Sequence, residues 1–303
     1  MALLGGIEFG GTKTVCVVAE DPTEIRAERR FPTGERPAAT LAACVEFFRE
    51  QGEIAAVGAG GFGPLDPNPT SATYGYVTTT PKPGWANTAV VTTLQAALGN
   101  IPIGFDTDVN VAALGELVHG AGRGLTSLVY LTIGTGIGGG AVVDGRLVHG
   151  LIHPEMGHFK VPRPATELAR FPGVCPYHGD CLEGVAAGPA LAARWGDPAQ
   201  DIRPGDARYE PMWELESEYL ASALQTLIAV LSPQRIVIGG GVGQQEQLLQ
   251  RVRPRLVTNL AGYVQSPAIT EHIDSYVVTP GLGNRSGGVG ALELARQILQ
   301  SAT

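Results

Sequence analysis

"SLVYLTIGTGIGGGAVVDGRLVHG", residues 127–150, decides how this chain is read. Its Gly-rich segment, residues 134–139, satisfies the G-x-G-x-x-G pattern of dinucleotide-binding turns. That pattern works only where the turn opens a helix whose N-terminus receives a pyrophosphate. Here the residues that follow alternate and then reverse at Asp144-Gly145, a two-residue hairpin signal. The stretch therefore reads strand, glycine turn, strand, tight turn, strand. Residues 3–19, "LLGGIEFGGTKTVCVVA", carry the same succession around Gly10–Lys13. Thr12, not glycine, precedes Lys13, so a Walker A loop is excluded as well. A strand–glycine turn–strand unit that restarts about halfway along the chain predicts two domains of related topology.

Between and beyond these hairpins, helical patterns at 38–52, 88–99, 109–122, 216–232 and 244–262 alternate with strands at 54–61, 101–107 and 233–239. A last strand, loop and helix follow over 273–300. Alternation of this kind predicts an α/β fold. With 303 residues, 44% hydrophobic, the chain is long enough for two domains. The net charge of −8, with no run of Lys or Arg, argues against a nucleic-acid or anionic-membrane partner. No signal peptide and no apolar run of roughly 20 residues is present, so a soluble, cytoplasmic protein with reduced thiols is expected. Cys16 and Cys44 lie in apolar contexts and read as core residues.

Three features carry chemistry. The glycine turns at 10–13, 134–139 and 238–242 present backbone N–H groups that can cradle an anion without a Cβ in the way. Asp106 and Asp108 stand where a strand gives way to a helix. Either is a helix N-cap or a general base held at a helix N-terminus. Cys175, His178 and Cys181 form a C-x2-H-x2-C loop, three ligands toward a tetrahedral Zn2+. His153 and His158 both stand as candidates for the fourth, and spacing does not choose between them. A metal-free cluster or a Cys175–Cys181 disulfide is the alternative.

Taken in order, "GGTK" (10–13), "GFGP" (61–64), "TDVNVAALGE" (107–116), "TIGTGIGGG" (132–140), "PEMGH" (154–158), the Cys/His loop and "IGGGV" (238–242) resemble the ROK family of sugar kinases and repressors. "GIEFGGTK", "YGYVTTTPKPGW" and "GVCPYHGDCLEG" look most like its bacterial fructokinase branch. The resemblance implies a two-domain actin/hexokinase-like (ribonuclease H-like) α/β fold with ATP and sugar meeting in a cleft. The domains would span 1–110 and 111–286, with a C-terminal helix at about 287–303 packing back on the first. It implies ATP-dependent phosphorylation of a hexose, D-fructose to fructose 6-phosphate, with glucokinase or mannokinase specificity, or a non-catalytic sugar-binding or repressor protein, as the alternatives.

By motif, Asp108 matches the catalytic base, and Gly63, Thr107, Glu155, His158 and Glu183 match sugar-binding residues. Gly10, Gly11, Thr12, Lys13, Thr132, Gly134, Thr135 and Gly136 match phosphate loops. Pro189, Gly239, Gly240 and Gly241 match the nucleotide side. The same resemblance points to His158 as the fourth ligand of a structural Zn2+ with Cys175, His178 and Cys181, and to Mg2+ with ATP. Glu8 stands where most of the family has Asp, and is expected at one remove, on the Mg2+ water shell. The family leans to dimers, so a homodimer is expected.

Overall fold

The structure, a computed structural model, describes residues 2–301, so Met1 and residues 302–303 of the expected spans lie outside it. It divides into two compact units. The first holds the chain to Gly124, then Gly140–Pro154, then the chain from Gly281. The second holds Leu125–Gly139 and Glu155–Pro280. A boundary at 110/111 would cut α3 (Asp108–His119), which instead stays whole in the first unit.

The first unit is built on β1 (Leu4–Phe9), β2 (Lys13–Ala19), β3 (Ala27–Pro32), β4 (Ala56–Gly61) and β7 (Ile103–Thr107), in sheet order β3-β2-β1-β4-β7. β1–β2 and β2–β3 are antiparallel, while β1–β4 and β4–β7 are parallel. A small pair, β5 (Tyr76–Val77) and β6 (Thr88–Ala89), closes the proline-punctuated loop. Strand alternation sorts the core. Cys16 and Val18 of β2 join Phe47 and Phe48 of α1 (Pro37–Gln51) and Leu94 of α2 (Val90–Leu98) on one face. Val15 and Val17 join Leu292 and Ala295 of α11 (Ser286–Ser301) on the other. Both Cys16 and Cys44 are fully buried in the first of these clusters.

Helix α11 lies against β4 and α3. It comes so close that a Cβ on Gly58 would meet the Ala291 carbonyl oxygen at 2.0 Å, and one on Gly290 would meet the Val111 oxygen at 1.8 Å. Glycine is the only residue these contacts admit. Glu116 of α3, wholly buried, secures the start of α11. Its Oε2 accepts from the N–H groups of Ala121 and Gly281, at 2.8 and 2.9 Å, and its Oε1 from Leu282 N–H at 3.0 Å and Ser286 Oγ at 2.6 Å.

The second sheet has strand order β10-β9-β8-β11-β12, with β8 (Leu128–Ile133), β9 (Ile137–Val143), β10 (Arg146–Leu147), β11 (Ile236–Gly239) and β12 (Val277–Val278). Counted within each sheet, both read third, second, first, fourth, fifth. The β9–β10 reversal falls at Asp144-Gly145, both with positive φ, 49° and 75°, as a type I′ turn requires. Helices α4 (Ala165–Leu168), α5 (Leu182–Ala186), α6 (Gly188–Trp195), α7 (Tyr209–Leu231), α8 (Glu246–Leu260), α9 (Pro267–Thr270) and α10 (Ile273–Tyr276) belong to the second unit with β8, β11 and β12, whereas β10 and β9 from Gly140 onward are counted with the first. No helix among the described residues is long and apolar enough to cross a membrane.

Candidate functional site

Parallel pairing delivers the expected residues to common sheet edges. In the first unit Phe9 pairs with Gly61, and Gly61 with Thr107. The Gly10–Lys13 turn, the Gly63 turn and Asp108 therefore leave the same C-terminal edge, where open α/β sheets bind ligands. In the second unit Thr132 pairs with Gly239, so the 134–136 and 240–241 turns also leave one edge together.

At the first edge, Gly10 N–H donates to Lys13 O at 3.0 Å, closing the β1–β2 turn. Gly11, Thr12 and Lys13 are exposed, and a Cβ on Gly11 would meet nothing within 4 Å. The chain's own packing does not demand glycine there, whereas close approach by a ligand would. Glu8 is half-buried on β1, and burial raises its carboxyl, with Lys13 and Arg30 acting the other way. The N-cap of α3 is Thr107, whose hydroxyl accepts from Asn110 N–H at 3.1 Å. Neither aspartate is the cap. Asp108 is the first helical residue, and its Oδ1 accepts from Val109 N–H at 2.9 Å.

Asp106 is buried and has three partners. Oδ1 accepts from Thr107 N–H at 2.7 Å and from Asn110 Nδ2 at 2.8 Å, and Oδ2 lies 2.7 Å from His149 Nε2. That bond raises the His149 imidazole above its ordinary value, against the effect of burial. Residues 106 and 149 are 43 apart in sequence, and nothing in the local pattern ties them. Leu65, just past Gly63, donates its N–H to His153 Nε2 at 3.1 Å. His153 is thus occupied in the first unit.

His158 takes the place beside the thiols. The ligand atoms of His158, Cys175, His178 and Cys181 all lie within 4.8 Å of one another. Nδ1 of His158 is 3.8 Å from Cys175 Sγ and 3.5 Å from Cys181 Sγ, and His178 Nδ1 is 3.7 Å from Cys175 Sγ. Tetrahedral Zn2+ with bonds of about 2.3 Å to sulfur and about 2.0 Å to nitrogen sets such pairs roughly 3.5 Å apart. The set fits. All four cysteines are free thiols, so the two in this loop are not a disulfide.

The loop also ties backbone to backbone: Leu182 N–H donates to Phe159 O at 2.9 Å and Glu183 N–H to Gly157 O at 2.8 Å. Lys160 and Arg163 pair with Asp180 of this loop. Glu183 Oε2 accepts from Ile137 N–H at 3.0 Å, and a Cβ on Gly136 would stand 2.7 Å from that oxygen. Burial, with the Glu183 charge adding to it, pushes the Glu155 carboxyl up to about 7. Around the end of β8, Gly188 N–H donates to Gly134 O at 2.7 Å, with Pro189 next in α6. Val242 N–H donates to Ile133 O at 3.0 Å. The 134–136 turn, Gly188–Pro189 and Gly239–Gly241 are thereby gathered in one place.

The ROK family model matches residues 4–298. The fructokinase of Lactococcus lactis subsp. cremoris is 41% identical over 292 residues, covering 96% of this chain and 96% of its own. The fructokinase of Zymomonas mobilis subsp. mobilis is 41% identical over 298 residues, covering 97% of this chain and 96% of its own. A ROK family glucokinase from Streptomyces griseus, solved in complex with glucose and AMPPNP, superposes with a TM-score of 0.77 at 25% identity, covering 98% of this chain and 100% of that one. With the family model matched over nearly the whole chain and relatives 41% identical over nearly their full length, the chain belongs to the ROK family.

Proposed function

We propose that this protein is an ATP-dependent hexose kinase that phosphorylates the primary hydroxyl of fructose to give fructose 6-phosphate. The observation that carries the reading is full-length similarity at about 40% to proteins named fructokinase, with Asp108 held at a helix N-terminus. Phosphoryl transfer needs positioned phosphates and a base near the nucleophile, and little other covalent chemistry. Asp108 accepts the hydroxyl proton as the new O–P bond forms, and the positive end of the α3 dipole favours its charged form. Gly63, Thr107, Glu155, His158 and Glu183 bind the sugar; carboxylates accept from hydroxyls in a fixed pattern, which is how one hexose is told from another.

Gly10, Gly11, Thr12, Lys13, Thr132, Gly134, Thr135 and Gly136 receive the phosphates of ATP, and Pro189 and Gly239–Gly241 flank its nucleoside end. Mg2+, bound with ATP, would neutralise phosphate charge, with Glu8 reaching its water shell. His158, Cys175, His178 and Cys181 would hold a structural Zn2+. With four protein ligands no position is left for a catalytic water, so its contribution is to fix Glu155 and Glu183 relative to each other. The cytoplasmic location expected from the sequence and the homodimer implied by the resemblance belong to this proposal, to be checked by fractionation and by light scattering.

The test is a coupled ADP-release assay with Mg-ATP against fructose, mannose, glucose and N-acetylmannosamine. Highest turnover on fructose supports the reading; preference for another hexose keeps the chemistry and overturns the substrate. Absence of turnover on any of them, with zinc confirmed in place, moves the protein to a binding role.

A further inference from the structure

The loop after β10, "VHGLIHP" at 148–154, turns its apolar tip outward, with Leu151 fully exposed and Ile152 exposed. Its two histidines turn the other way and meet two separate segments of the first unit. His149 Nε2 lies 2.7 Å from Asp106 Oδ2, and Asp106 in turn holds Thr107 N–H and the Asn110 amide. Asn110 is itself oriented by Ala141, whose N–H donates to its Oδ1 at 3.2 Å. These contacts fix the first turn of α3 on both sides of Asp108.

His153 Nε2 accepts from Leu65 N–H at 3.1 Å, and Pro154 O lies 3.3 Å from its Nδ1. The ring therefore carries its proton on Nδ1 and serves as an acceptor at Nε2. This contact fixes the chain two residues beyond Gly63. A single short loop thus grips both the turn with the proposed base and the turn with Gly63. Neither histidine is accounted for by the hydrophobic core or by the Cys/His cluster.

We propose that His149 and His153 are positioning residues: His149 sets Asp108 through Asp106 and Asn110, and His153 sets the Gly63 turn through Leu65. The proposal rests on the kinase reading above. It separates the two roles. The base acts in the chemical step, so the His149 contact governs kcat, whereas Gly63 lines the sugar, so the His153 contact governs KM for the hexose. The titratable groups facing His149 are Asp106 on β7 and His153 on its own loop, and Tyr74, whose hydroxyl donates to Ile103 O, is near enough to feel the Asp106 charge.

The test is steady-state kinetics on the full chain with Mg-ATP and fructose. His149→Ala is expected to lower kcat about tenfold or more, since small misplacement of a catalytic group is costly. His149→Gln, which can still aim an N–H at Asp106, restores kcat. His153→Ala raises KM for fructose about tenfold, and His153→Gln, whose amide oxygen can accept from Leu65, restores it. KM for ATP stays put in all four.

Folded alanine variants with wild-type kcat and KM overturn the proposal, as does an equal rise in KM for ATP and sugar. Should the alanine variants fail to fold, His149→Phe and His153→Phe, which keep a ring without a polar atom, take their place: kcat and KM as in the wild type overturn the proposal, and the kcat loss and KM rise expected of the alanine variants support it. A wild type without hexose turnover overturns the kinase reading and the loop's role together, whereas an active wild type with unaffected variants overturns the loop alone.

Discussion

Glu116→Gln tests whether one buried carboxylate holds the C-terminal helix to the helix that carries Asp108. All four contacts to Glu116 come from donors: the N–H groups of Ala121, Gly281 and Leu282, and the Ser286 hydroxyl. A carboxylate can accept all of them, but an amide can accept on one side only. The least costly orientation keeps the amide oxygen toward Ala121 and Gly281 and turns the NH2 toward Leu282 and Ser286. The serine can reverse its hydroxyl, but the Leu282 N–H cannot, and it is left facing another donor.

One unpaired buried N–H costs about 1–3 kcal/mol. Two further bonds fall from charge-assisted to neutral strength, at about 1 kcal/mol each. The sum is about 4 kcal/mol, which at roughly 2–4 °C per kcal/mol lowers Tm by about 10 °C. Calorimetry on wild type and variant at one pH reads this directly, and the temperature at which activity is lost should fall with it. A folded variant whose Tm moves by less than about 2 °C would refute the argument, because it would mean that water satisfies those donors.

Other substitutions and conditions read the site itself. Asp108→Asn keeps the side-chain acceptor for Val109 N–H but loses the proposed base, so kcat should fall about 10²- to 10⁴-fold in the ADP-release assay with the fold intact by circular dichroism. The folded-state value of His149 is raised above its ordinary 6.5, so its contribution to stability is fully present below about 6.5 and is lost as pH rises through the raised value. Between about 6.5 and that raised value, thermal stability should slope downward with pH, and His149→Gln should flatten the slope. Removing zinc with a chelator should lower hexose turnover and the stability of the second unit, and adding Zn2+ back should restore both; full turnover in metal-free protein, verified by elemental analysis, would count against the proposed zinc role.

The sequence was legible where local chemistry suffices. Asp144-Gly145 has the positive φ values of its turn type, Gly52 ends α1, and the two glycine hairpins restart the same strand order. It was not legible where distant chain decides. Strand β3, "AERRFP", puts three charged residues in a row on a sheet edge and lacks the apolar density and alternation by which strands are read. In "DTD" at 106–108 three neighbours all carry a side-chain oxygen, and only the path of β7 into α3 makes the middle one the cap. His153 and His158 are equally good ligands by spacing, and only the three-dimensional course of the chain sends one to Leu65 and the other to the thiols. Glu116 and the Asp106–His149 pair are long-range contacts with no local signature.

The first unit is assembled from three stretches of chain, the last of which begins at Gly281. During synthesis, α11 is therefore still missing while β1, β4 and α3 are already made, and the faces it will cover stand open to other chains. The second unit is complete in sequence by Pro280 and can close first. Growth of the nascent chain thus runs opposite to completion: the end made last finishes the unit begun first. Loss of a C-terminal segment reaching into α11 would strip one face of the N-terminal sheet, and such truncated chains should be found with chaperones or proteases before they are found with substrate.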